Sequence, residues 1–161
     1  AGYAKGIPMG GDLTVAPKGK APSFLIMALK DPVGANLDRV QVVKGWVDAS
    51  GAPQEKIYDV AWSDNRQPGA DGKLPAVGNT VDLETGSVSN SIGEAQFNAS
   101  WTDPEFDPGV AAFYYVRVLQ IPTARHTLLD AIALGIKPEE TGHPSTIQER
   151  AYSSPIWYTP E

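Results

Sequence analysis

Apolar residues in this chain recur mostly at every second position, in short runs, which is the signature of strands with two distinct faces. The clearest run covers residues 111–121, where Tyr114, Val116 and Val118 fall on one face and Phe113, Tyr115, Arg117 and Leu119 on the other. Residues 55–62 alternate Ile57, Asp59 and Ala61 with Tyr58, Val60 and Trp62. Residues 95–101 alternate Phe97, Ala99 and Trp101 with Gln96, Asn98 and Ser100. Residues 37–47 carry Val40, Val42, Val43, Trp46 and Val47 between Arg39, Gln41 and Lys44, and the slip at Val42-Val43 predicts a bulge there. Ser23-Phe-Leu-Ile-Met-Ala-Leu29 is apolar on both faces and bounded by Pro22 and Pro32. It is too short for a stable helix and reads as a buried central strand. Residues 80–83 suggest a further strand, and 151–159, with Ile156, Trp157 and Tyr158, a closing one.

Between these runs the chain is heavily punctuated, with 16 Gly and 14 Pro. Residues 7–13 read as a tight reversal around Gly10 and Gly11, and Ser50-Gly-Ala-Pro as a hairpin turn. Residues 63–77 form a long polar loop, and Asp103-Pro-Glu-Phe-Asp-Pro-Gly109 a loop enforced by its prolines. One helix is expected over 128–134, capped by Thr127 with Asp130 completing a capping box, ended by Gly135 and followed by Pro138. Together these elements predict an all-β fold, an immunoglobulin-like two-sheet β-sandwich of seven or eight strands with long loops and one short helix. Residues 1–161 fit one domain.

Composition then removes whole classes of function. The net charge is −6, with 19 acidic and 13 basic residues, and the nearest approach to a basic cluster is Lys18 and Lys20 in a Gly/Pro loop. That argues against a nucleic-acid partner. No apolar run approaches the length of a membrane span. Cysteine is absent, which removes disulfides, thiolate metal sites and cysteine nucleophiles together. The chain carries no signal-peptide pattern and does not begin with Met, so it reads as a mature product or a fragment.

The candidate chemistry is sparse. His126 and His143 stand alone in loop-like sequence, short of the ligand set that a zinc site requires. Asp103, Glu105 and Asp107 alternate as calcium ligands do, but Pro104 and Pro108 interrupt them, and Tyr114 stands where a closing glutamate would be. Gly6, Gly10 and Gly11 fit neither a dinucleotide fingerprint nor a P-loop. Ser153-Ser154 has no neighbouring histidine or nucleophile elbow. Trp46, Trp62, Trp101 and Trp157 fall near strand ends, where they either fill the core or offer a carbohydrate platform.

Several segments carry a resemblance. Gly6-Ile-Pro-Met-Gly-Gly-Asp-Leu13, Lys30-Asp-Pro-Val-Gly-Ala-Asn-Leu-Asp-Arg-Val-Gln-Val-Val-Lys-Gly-Trp46 and Glu55-Lys-Ile-Tyr-Asp-Val-Ala-Trp62 are three of them. Phe113-Tyr-Tyr-Val-Arg-Val-Leu119 and Ile147-Gln-Glu-Arg-Ala-Tyr-Ser-Ser-Pro-Ile-Trp-Tyr-Thr-Pro160 are the others. In this order they resemble the C-terminal region of domain-of-unknown-function family 3604, whose members are similar to PHP-type (polymerase and histidinol phosphatase) metallohydrolases.

The resemblance implies an N-terminal metal-binding barrel with His and Asp/Glu ligands, followed by a β-rich C-terminal region in an exported, periplasmic bacterial protein. None of the His-containing metal motifs occurs here, so it assigns no catalytic, cofactor or metal residue to this chain. A divalent metal would belong to the parent protein. On this reading the chain is the C-terminal part, lacking a strand expected before Ala1. It would serve as a non-catalytic module packing on the N-terminal catalytic domain. Met9, Gly10, Gly11 and Asp12, with the 63–77 loop, would supply the contacts. The alternative is a carbohydrate- or ligand-binding sandwich that uses exposed Trp and Tyr.

Overall fold

A computed structural model describes residues 5–14 and 20–160. The Gly/Pro loop expected around Lys18 and the beginning of the opening stretch lie outside the described residues. The strands are β1 (Asp12–Leu13), β2 (Ser23–Leu29), β3 (Leu37–Val47), β4 (Pro53–Trp62), β5 (Gln96–Thr102) and β6 (Ala112–Gln120). They are followed by β7 (Thr123–Ala124), helix α1 (His126–Leu134), a 3-10 turn (Pro138–Thr141), β8 (Thr146–Ile147), β9 (Arg150–Tyr152) and β10 (Ile156–Tyr158). One six-stranded sheet runs β1-β10-β6-β3-β4, with β9 also pairing with β6. Among the described residues a second sheet holds only β2 and β5, and β7 with β8 makes a small ribbon near α1.

The two main sheets face each other as the alternation predicts. Phe24, Ile26 and Ala28 of β2, with Phe97 and Trp101 of β5, pack on Val40 and Val42 of β3, Val60 of β4 and Tyr114, Val116 and Val118 of β6. This is an all-β, sandwich-like fold, with burial of those aliphatic side chains stabilising it by roughly 1.5–3 kcal/mol each. The sandwich is lopsided, since two strands cover the inner face of six.

The doubly buried strand is β3, not β2. Val40, Val42 and Val43 are all fully buried, because β3 is flanked by β4 and β6 and covered on both faces. Strand β2 instead pairs only with β5 among the described residues, and Leu25, Met27 and Leu29 are 67%, 78% and 66% exposed. Its apolar run gave no way to tell an inward leucine from an outward one. The bulge lies between Val40 and Gln41, two residues earlier than the sequence slip suggests.

Three other expectations are corrected. The strand over 80–83 is a turn held by Asp82, whose Oδ1 accepts from the N–H groups of Glu84 and Thr85, with a lone bridge from Val81 to Val88. Helix α1 begins two residues early, so that Arg125 is its N-cap with no side-chain bond, Asp130 completes no capping box, and Thr127 Oγ1 is buried inside the first turn without a partner among the described residues. Gly135 does end it, in the left-handed conformation at φ 65°. The closing strand is split into β9 and β10, which both pair with β6 on either side of a kink at 153–155.

The 63–77 loop is fastened by a buried carboxylate. Asp38 at the start of β3 accepts from Arg66 Nη2 at 2.5 Å, Arg39 Nε at 3.0 Å and Gln148 Nε2 at 2.6 Å. Three distant segments therefore converge on one charge, and Arg66 also reaches Pro75 O at 2.8 Å. No helix among the described residues is long and apolar enough to cross a membrane.

Candidate functional site

A lysine interrupts the inward face of β3, in the series Val40, Val42, Lys44, Trp46. The strand register places Lys44 opposite Tyr114 of β6 and Lys56 of β4. An ammonium on an apolar face requires compensation, and the 103–109 loop supplies it. Asp103 directly follows β5, and its Oδ2 accepts from Lys44 Nζ at 2.6 Å and from the Tyr114 hydroxyl at 2.7 Å. Its Oδ1 accepts from Glu105 N at 2.9 Å, so the carboxylate is fully engaged. Lys44 also donates to Glu105 O at 2.8 Å. The Lys44 and Asp103 side chains are 8% and 0% exposed. The rings of Trp46 and Tyr114 lie 5.4 and 5.8 Å from Nζ, close enough for cation–π attraction.

A second, solvated tier sits above this one. The Glu105 side chain accepts from Lys56 Nζ and from the Tyr58 hydroxyl at 3.0 Å. The hydrogen bond from Lys56, followed by that from Tyr58, holds the Glu105 carboxyl below the usual glutamate range. Burial raises Tyr58 well above the ordinary phenol range, helped by its bond to Glu105. Tyr114 is raised further, by burial first and then by its bond to Asp103 and the charge there. Both phenols thus stay protonated donors across the neutral range.

Beside the two tiers opens a cleft of about 290 Å³ lined by Lys44, Trp46, Glu105, Phe106, Asp107, Val110, Ala112 and Tyr114. Its floor is the sheet and its outer wall the 103–110 loop, which is anchored by Tyr158, whose hydroxyl donates to Pro108 O at 2.8 Å. The arrangement offers preorganised donors against an aromatic wall.

The alternating carboxylates do not converge. Asp103 turns inward to Lys44, Glu105 turns to Lys56, and Asp107 Oδ1 accepts from Gly109 N at 2.8 Å. Among the described residues no group of three or more His, Asp or Glu is assembled to hold a metal ion. His126 and His143 are exposed and lie apart from the cleft, on α1 and after the 3-10 turn.

Met9, Gly10, Gly11 and Asp12 run along the edge of the large sheet. Gly10 N donates to Pro155 O at 2.9 Å, Trp157 N donates to Gly11 O at 3.1 Å, and Asp12 lies beside Trp157. Met9 is mostly exposed. From Trp157 an aromatic row crosses the outer face of the sheet, through Phe113 at 5.2 Å and Tyr115 to Tyr152. Of the tryptophans only Trp157 is classed as exposed; Trp46, Trp62 and Trp101 are partly buried.

Sequence reasoning missed Lys44, Lys56 and the Asp38–Arg66 junction. The visible signal for the first was a lysine in an inward register position.

Fold and cleft together define a β-sandwich-like fold in which the buried carboxylates Asp38 and Asp103 fasten loops to the large sheet. The chain belongs to the protein family of unknown function DUF3604, whose model matches residues 1–160. No curated protein and no solved structure matches it.

Proposed function

We propose that this chain is a non-catalytic β-sandwich module that packs on a PHP-like, metal-dependent hydrolase domain of the same exported bacterial protein. The observation that carries the reading is the outward stripe of Leu25, Met27 and Leu29 on β2. The register alternates hydrogen-bonded pairs, and the bonds from Lys30 N to Ala95 O and from Asp103 N to Pro22 O fix its phase. The backbone groups of Leu25, Met27 and Leu29 therefore point away from β5. Apolar side chains, and backbone that is unpaired among the described residues, make a surface suited to another protein segment. Met9 to Asp12 and the 63–77 loop offer further contacts.

The carbohydrate alternative draws on the aromatic row. Within it only Phe113 and Tyr115 are near parallel, at 9°, and both are partly buried, whereas Trp157 is tilted 48° from Phe113. That is a poorer platform for a flat sugar face.

The test is to produce this chain and the hydrolase domain as separate polypeptides and measure their association. Binding weakened at least about tenfold by Met27→Lys supports the reading. No association, or association indifferent to Met27→Lys and Leu25→Lys, overturns it.

A further inference from the structure

The geometry points to a small-molecule site in the cleft between β3 and the 103–110 loop, with a single neutral sugar ring as its ligand. This stands apart from interdomain packing, since it involves neither β2 nor the aromatic row.

The donors come first. An ammonium has three N–H groups, and Lys44 uses two, on Asp103 Oδ2 and Glu105 O. The third has no protein acceptor among the described residues, and Lys44 lines the cleft. Trp62 gives its indole N–H to Arg66 O at 2.7 Å, whereas the Trp46 indole has no such partner among the described residues. One acceptor is also free among the described residues. Asp107 uses Oδ1 on Gly109 N and keeps Oδ2, while both Glu105 oxygens are taken by Lys56 and Tyr58. Carbon surface from Trp46, Phe106, Val110 and Ala112 supplies the rest of the lining.

Charge selects the ligand class. Lys44 and Lys56 are outnumbered by Asp103, Glu105 and Asp107, so an anion meets a net negative site. The Lys44 charge is already taken by Asp103, and the donors left on Lys44 and Trp46 need acceptors, which a simple cation does not offer. A neutral ligand is left, and it must both accept and donate beside an aromatic wall. Vicinal ring hydroxyls do both, and the C–H face of a sugar packs on an indole. The volume of about 290 Å³ lies at the small end for ligand sites and suits one ring. Lys44 and Asp103 are already locked by burial, so ordering them adds no cost on binding.

The test titrates this chain with methyl α-glucopyranoside, methyl β-galactopyranoside and N-acetylglucosamine, following amide and indole NMR shifts. Acetate and choline serve as charged controls. Saturable shifts at the Trp46 indole and at 106–110 with at least one sugar, in the millimolar range, are expected. Asp107→Ala should weaken binding about tenfold, and Val110→Trp, at the partly buried cleft wall, should abolish it with the remaining spectrum retained. Absence of shifts with all three sugars overturns the proposal, as does saturation by acetate or choline instead. Binding undiminished in Val110→Trp overturns the location.

Discussion

Lys44 and Asp103 lie 59 positions apart in the chain and meet at 2.6 Å inside the sandwich, where the aspartate side chain is wholly covered. The pair ties the loop that follows β5 to the middle of the large sheet. Lys44→Met would leave Asp103 buried with Tyr114 as its only remaining side-chain donor among the described residues. Removing one partner of a buried pair costs about 3–5 kcal/mol. Urea unfolding should show that loss for Lys44→Met, and a smaller one for Lys44→Met combined with Asp103→Asn. Equal losses would mean that the stranded charge is not the cause.

Alkaline titration tests the two raised phenols, Tyr58 and Tyr114. Tyr58 and Tyr114 have folded pKa values raised above their unfolded ones. Their contribution to stability is therefore fully present below the ordinary phenol range near 10, and is lost as pH rises beyond it. The tyrosinate absorbance of Tyr58 and Tyr114 should appear only well above about pH 10, together with unfolding. Their ionisation while the protein is still folded would contradict the assignment.

The acid limb has the opposite sign. Asp48 in the β3–β4 turn is lowered to about 2, because Ser50 and Gln54 side chains and the Ala52 and Ser50 N–H groups all donate to it. Glu105 is also lowered, chiefly by Lys56. Both contribute stability above the ordinary carboxylate range that is lost as pH falls through their folded values. Asp48→Asn should flatten the decline between about pH 4 and pH 2, measured as the urea midpoint at each pH.

Gly45→Ala tests the outer face. The Phe113 ring lies directly over Gly45, where a Cβ would stand, and Phe113 is itself held between Tyr115 and Trp157. Overpacking of this kind costs about 1–3 kcal/mol. Calorimetry should show the lower Tm, and Gly45→Ala with Phe113→Leu should recover part of it.

Met27→Lys should behave differently. Its side chain points out from β2 and is mostly exposed, so stability should stay within about 0.5 kcal/mol of the parent chain. Association with the hydrolase domain should nevertheless fall. A large loss of stability in this variant would show that Met27 is buried in the protein in solution.

How far the sequence could be read depended on which physical rule governed each segment. Strand β6 was legible on both faces because its alternation is unbroken and its neighbours fix one register. β2 was legible as a strand but not as an edge, since hydrophobicity does not record which residues remain uncovered. The 80–83 stretch looked extended, yet Asp82 forms local hydrogen bonds that compete with a ladder. The cleft was hidden for a different reason. Lys44 and Asp103 have nothing in their sequence surroundings to link them; only the stacking of β5 over β3 makes them neighbours.

The pairing of β1 with β10 has a consequence for the order of events during synthesis. Trp157 N reaches Gly11 O and Thr159 N reaches Leu13 O, so nearly the whole chain separates the two halves of one parallel ladder. The β3–β4 hairpin can close as soon as both strands have left the ribosome, because its contacts are local. The first described strand must wait until Trp157 and Tyr158 have left the ribosome. Throughout that interval Leu13 lacks its partner, and a nascent chain stalled before Trp157 would leave the Ala112–Phe113 end of the β6 edge bare, a state in which chaperone capture or aggregation competes with completion of the sheet.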